Sequence, residues 1–197
     1  MDISKLLKAP GWLIKNRFML FNKHRFKSVG QHSRIVKPLR IDGYHFITIG
    51  NKVIVREGTW LAAVPLTGND NVHLTLEDGA TLGHFNHIYA TESIIIEKDV
   101  LTADKVYISD NLHNYEDVTL PIIKQPIKQC NPVVIGEGSW LGENVCVIGA
   151  SVGKHCVIGA NSVVTKDIPD YSVAVGSPAK VLKYFNVSTN SWERINI

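Results

Sequence analysis

Between Ile135 and Val164 an aliphatic residue opens a unit at Ile135, Leu141, Val147, Val152, Ile158 and Val164, at a spacing of six with a single five. The units read IGEGSW, LGENVC, VIGAS, VGKHCV, IGANSV and VTKDIP. A second run in the same style starts at Ile96 with IEKDVL, TADKVY and ISDNLH, and weaker units open at Ile49, Val55, Leu76 and Leu82. A period of six fits neither the 3.6-residue turn of a helix nor the alternation of a simple amphipathic sheet. It fits a solenoid in which each hexad is a short strand plus a corner, three hexads making a coil of about 18 residues. The opening aliphatic then points inward and stacks on its equivalents above and below, while Gly136, Gly142 and Gly159 relieve crowding at the turns. Ordinary sandwich strands joined by glycine turns would not hold the phase through Val147 and resume it at Val152.

With 45% apolar and 20% charged residues over 197 positions, the chain can bury a real core. Its three cysteines, Cys130, Cys146 and Cys156, show no CxxC spacing, and the sequence contains no leader-like pattern or long apolar run. A reducing cytoplasm is the expected location. The formal charge of +3 conceals an asymmetry: residues 1–40 hold ten Lys/Arg against Asp2, leaving 11 Lys/Arg and 17 Asp/Glu, a formal −6, for residues 41–197. In LLKAPGWLIKNRFMLFNKHRFKSV the cations interleave with Trp12, Phe18, Leu20, Phe21 and Phe26. That mixture suits either a cap on the domain or peripheral contact with an anionic membrane at its inner face. Nucleic acid is not an expected partner.

The segment PVVIGEGSWLGENVCVIGASVGKHCVIGANSVVTKDIPDYSVAVGSPAKVLKYF resembles the end of hexapeptide-repeat acyltransferases, most closely the bacterial sugar O-acetyltransferases of lipopolysaccharide and capsule synthesis. The likeness covers about residues 75–185 and is strongest over 132–183. It implies an all-β fold, a left-handed parallel β-helix with a protruding loop, acting as a homotrimer and using acetyl-CoA with no metal. The expected organisation is a basic amphipathic segment or cap over 1–40, the β-helix over 41–185 with its loop at about 114–132, and a short C-terminal tail over 186–197.

Within that resemblance His113 is the candidate catalytic base. It closes the hexad ISDNLH before an irregular stretch. The family commonly has Asp-His-x-His there, whereas this chain has Asp110-Asn111-Leu112-His113, so His113 is the imidazole left to serve. Such a base would take the proton from an acceptor hydroxyl as it attacks the thioester carbonyl. Cys146 and Cys156 read as wall residues, so no protein nucleophile is required. Asp110, Tyr115, His84 and Asn86 are candidate acceptor contacts. For acetyl-CoA the resemblance points to Trp140, Gly142, Gly149, Ala150, Ala160, Thr165, Lys166 and Lys180, the lysines as point charges for phosphates. Where the family often reads aliphatic-Leu-Pro-Gly-Val-Thr-Ile-Gly, this chain has Val147-Ile148-Gly149-Ala150-Ser151-Val152-Gly153, one residue shorter. That deletion bears on the pose of the acyl end. His84 and His87 could suggest a metal, but a zinc site in this fold needs three imidazoles around one open position. A sugar amine or serine is an alternative acceptor, and a non-catalytic solenoid scaffold is the alternative of another class.

Overall fold

The computed structural model describes residues 11–195. It is a three-sided parallel β-helix. The first side stacks Ser28–Val29, Ile47–Ile49, His73–Leu76, Ser93–Ile96 and Val133–Ile135. The second stacks Arg34–Ile35, Ile54–Val55, Thr81–Leu82, Leu101–Thr102, Trp140–Leu141, Val157–Ile158 and Ser172–Val175. The third stacks Arg40–Asp42, Trp60–Ala63, His87–Ala90, Tyr107–Ser109, Cys146–Ile148 and Val163–Val164.

Every repeat opener from Ile135 to Val164 is buried, as are Ile96, Thr102 and Ile108 in the earlier run. The reason is geometric: side chains alternate along these short strands, so one or two positions per strand face inward, and mostly aliphatic residues fill them against their neighbours above and below. The coils are not uniformly 18 residues. Arg40 pairs with Trp60, Trp60 with His87, His87 with Tyr107, Tyr107 with Cys146 and Cys146 with Val163, so successive coils advance by 20, 27, 20, 39 and 17 residues. All extra length is expelled at corners, the longest at the corner between the third and first sides.

The solenoid begins at Ser28 rather than at residue 41, because Ser28–Val29, Arg34–Ile35 and Arg40–Asp42 already form its first coil. Ahead of them the helix Gly11–Asn22 caps the open end, with Met19 and Phe26 joining the core and Phe18 packed against it. The part of the amphipathic segment before residue 11 lies outside the described residues. At the other end, Lys180–Asn186 and Ser191–Arg194 form an antiparallel ribbon on the second side. The C-terminal extension is therefore a hairpin that starts before residue 186.

Candidate active site

After Ser109 the chain leaves the third side, runs out along Asn111–His113 and returns antiparallel along Ile127–Gln129, with His113 opposite Ile127. The departure is anchored by Asp110, whose side chain is fully buried. Its Oδ1 accepts from the Thr91 N–H at 2.8 Å, the Thr91 hydroxyl at 3.1 Å and the Asn111 amide at 3.1 Å. Its Oδ2 accepts from the N–H groups of Glu92 and Ser93, both at 2.8 Å. A buried carboxylate is tolerable only when its lone pairs are so used, and here oriented donors take the place of a cation.

Gln129 completes the anchor from the returning strand. Its Nε2 donates to the carbonyls of Asp110 (2.8 Å) and Cys130 (3.2 Å), and its Oε1 accepts from the hydroxyls of Thr91 (2.8 Å) and Thr67 (2.7 Å). Farther out, Lys128 pairs with Glu116 at 2.5 Å, which holds the Glu116 carboxyl below its ordinary range, and the buried Gln125 amide ties Asp117 to Leu120. The outcome is an exposed imidazole at His113, three residues beyond a fixed carboxylate, on a short two-stranded arm. Tyr115 is exposed on the same arm.

The other expected site residues divide between two corners. His84 lies at the corner between the second and third sides, where Asp104 Oδ1 stands 3.1 Å from its Nδ1 and accepts its backbone N–H at 2.8 Å. That backbone bond is the largest cause holding the Asp104 carboxyl low. The third side separates His84 from His113, so one chain does not bring them together. Asn86, expected to touch the acceptor, is buried in the wall, donating to Ala103 O and accepting from the Val106 N–H. Asp110 is likewise committed to the chain's own donors. Both are wall-builders.

Of the expected cofactor residues, Gly142 and Ala160 share the corner with His84. The five-residue unit shifts their stacking: Leu141 pairs with Ile158, which sets Gly142 level with Gly159. A Cβ at Gly142 would lie 2.7 Å from the Ala160 nitrogen, so glycine is needed there for coil stacking first. Ala160 itself is exposed, as is Trp140 on the second side. Thr165 and Lys166 are exposed at the His113 corner, whereas Ala150 is buried in the core. Lys180 is exposed where the chain crosses above Val163, whose backbone bonds Gly176 and Ala179.

Gly149 explains the short corner. It adopts φ +55°, its N–H donates to Ser109 O at 2.8 Å, and a Cβ there would stand 2.5 Å from Cys130 Cβ. The missing residue thus lets this corner close down on the root of the arm.

Five contributing side chains are not legible in the sequence: Gln129, Thr91, Thr67, and His73 with Ser93, whose Nε2 and Oγ lie 2.8 Å apart. The Ser93 N–H is one of the donors to Asp110, so His73 is a second imidazole near the arm's root. Such partners lie 17–62 residues apart and become visible only once the coil advance is known. Burial pushes the thiols of Cys130, Cys146 and Cys156 up, against use as a ready thiolate. Among the described residues no group of three His, Cys, Asp or Glu is gathered to hold a metal ion.

Fold and arm together define a hexapeptide-repeat solenoid carrying an exposed histidine on a corner excursion. Residues 132–166 match the family described as the hexapeptide repeat of succinyl-transferase. A Mycobacterium tuberculosis protein provisionally named an acetyltransferase is 45% identical over 61% of this chain. An Escherichia coli K12 protein provisionally named a lipopolysaccharide biosynthesis O-acetyl transferase is 39% identical over 59% of it. The chain spans 39% and 63% of the lengths of these two relatives. Among solved structures, AntD, an N-acyltransferase of Bacillus cereus in complex with dTDP-4-amino-4,6-dideoxyglucose and coenzyme A, superimposes with a TM-score of 0.74 at 18% identity. The match covers 89% of this chain and 92% of that one. At that identity the likeness is one of fold, and it makes the solenoid left-handed. Residues 132–166 thus carry the hexapeptide repeat, and the chain is similar to proteins named acetyltransferases.

Proposed function

We propose that this protein is an acetyl-CoA-dependent O-acetyltransferase that modifies a sugar hydroxyl of a surface polysaccharide or glycolipid precursor in the cytoplasm. The observation that carries the reading is the placement of His113, exposed on an arm whose root is bolted by Asp110 and Gln129. The ring accepts the proton of the acceptor hydroxyl as its oxygen attacks the thioester carbonyl. Backbone N–H groups facing the thioester stabilise the developing oxyanion. When the C–S bond breaks, the same ring returns the proton to the departing thiolate. Ala160, Thr165, Lys166 and Lys180 receive the donor, the lysines acting on its phosphates.

The two corners carrying these residues are separated within one chain, which supports a homotrimer whose sites form between subunits. Light scattering tests this: a mass near three chains is expected, and an active monomer would contradict it. The acceptor class is supported by the E. coli relative's name. A sugar amine is the second reading, favoured by the fold match to an N-acyltransferase holding an amino sugar nucleotide. Mass spectrometry of products from sugar nucleotides, amino sugar nucleotides and lipid-linked saccharides separates them. Ester products lose acetate in mild alkali and amide products keep it.

A further inference from the structure

Over residues 17–22 the cap helix carries apolar side chains on two sides, and the solenoid covers one of them. Met19 and Phe18 face the first coil, whereas Leu20 and Phe21 are 56% and 69% exposed. Beside Phe21 an open hollow of about 330 Å³ is lined by Arg17, Phe18, Asn22 and Lys37. Along this segment the charge has one sign: residues 17–40 contain seven lysines and arginines and no acid. Two of these cations have a carboxylate partner among the described residues, Lys37 with Glu57 and Arg40 with Asp42. Arg25 lies over the Tyr44 ring. Coil stacking needs none of these cations, and the exposed Arg17 and Lys23 point to an anionic partner outside the chain.

We propose that this capped end is a docking surface for an anionic phospholipid bilayer. Cations pair with lipid phosphates while Leu20 and Phe21 enter the interface between headgroups and acyl chains. A nucleic acid would use the cations but offers less to an exposed Leu-Phe pair on a helix. The surface lies at the end of the solenoid, with three further coils between the first coil and the His113 arm, so docking leaves that arm free. This inference does not depend on the acyl-transfer reading, because its test reads binding alone.

The experiment is co-sedimentation of the full-length protein with vesicles of phosphatidylcholine, with and without about a third phosphatidylglycerol, at about 25 mM and about 500 mM salt. Binding to the anionic vesicles at low salt and release at high salt are expected. Phe21→Glu should weaken the partition at least about tenfold, and each cation removed in Arg17→Gln and Lys23→Gln about fivefold. All three positions are exposed, and melting curves check that the variants fold. Failure to sediment at low salt overturns the proposal. So does undiminished binding by both kinds of variant, or tighter binding to single-stranded DNA than to anionic vesicles.

Discussion

Gln129 reaches across nineteen residues of excursion to donate its Nε2 to the main-chain carbonyl of Asp110 at 2.8 Å, closing the root of the arm on which His113 stands. The same side chain accepts from Thr67 and Thr91, so one amide joins three corner segments of the wall.

If that amide positions His113, Gln129→Leu should lower kcat by about tenfold to a hundredfold with little change in the KM for the acetyl donor, since a misplacement of about 1 Å is worth that much. Gln129→Glu keeps the acceptor oxygen for the two threonines but sets its other oxygen against the Asp110 and Cys130 carbonyls, so it should be at least as damaging. Steady-state kinetics on the refolding-competent variants decides it. An equal loss in kcat and in melting temperature for both variants would point to a purely structural role.

Asp110→Ala removes the acceptor of three backbone N–H groups that the fold buries. Each orphaned donor costs about 1–3 kcal/mol, so urea unfolding should show a loss above about 3 kcal/mol. A variant as stable as the parent would contradict the anchoring role.

His87 gives the stability a pH dependence of known sign. Its Nε2 is buried without a hydrogen-bond partner, and burial lowers the imidazole from the ordinary value of 6.5. Above 6.5 both folded and unfolded states are neutral there, and His87 contributes no slope. As the pH falls through that value the unfolded chain takes up a proton that the folded chain refuses, so stability declines until the lower folded value is passed. Denaturant midpoints of the parent should fall over this window more steeply than those of His87→Phe, which preserves stacking on Trp60. Parallel curves would show that His87 is not held neutral.

The solenoid was legible because its signal is local: Leu141, Val147 and Ile158 repeat along the chain and are buried where the period puts them. His113 could be placed for the same reason, as the last residue of a hexad before irregular sequence. The start at Ser28 was hidden because SVGQHSRIVKPLRID mixes cations into the hexads, and a short strand needs only one inward residue, such as Ile35. Asn86 and Asp110 looked like binding groups because a polar residue beside a corner reads the same whether it faces a ligand or the chain's own N–H groups. Only the advance of 20 residues per coil reveals that Val106 and Thr91 are their partners.

The central claim is that His113 is the base for acetyl transfer, and it is tested most directly by comparing parent and His113→Ala for acetyl-CoA consumption with a sugar acceptor identified by mass spectrometry. The account predicts an alkali-labile acetyl ester made by the parent, and a kcat lower by about two to four orders of magnitude in the variant with donor affinity retained. Near-parental turnover by His113→Ala would contradict it.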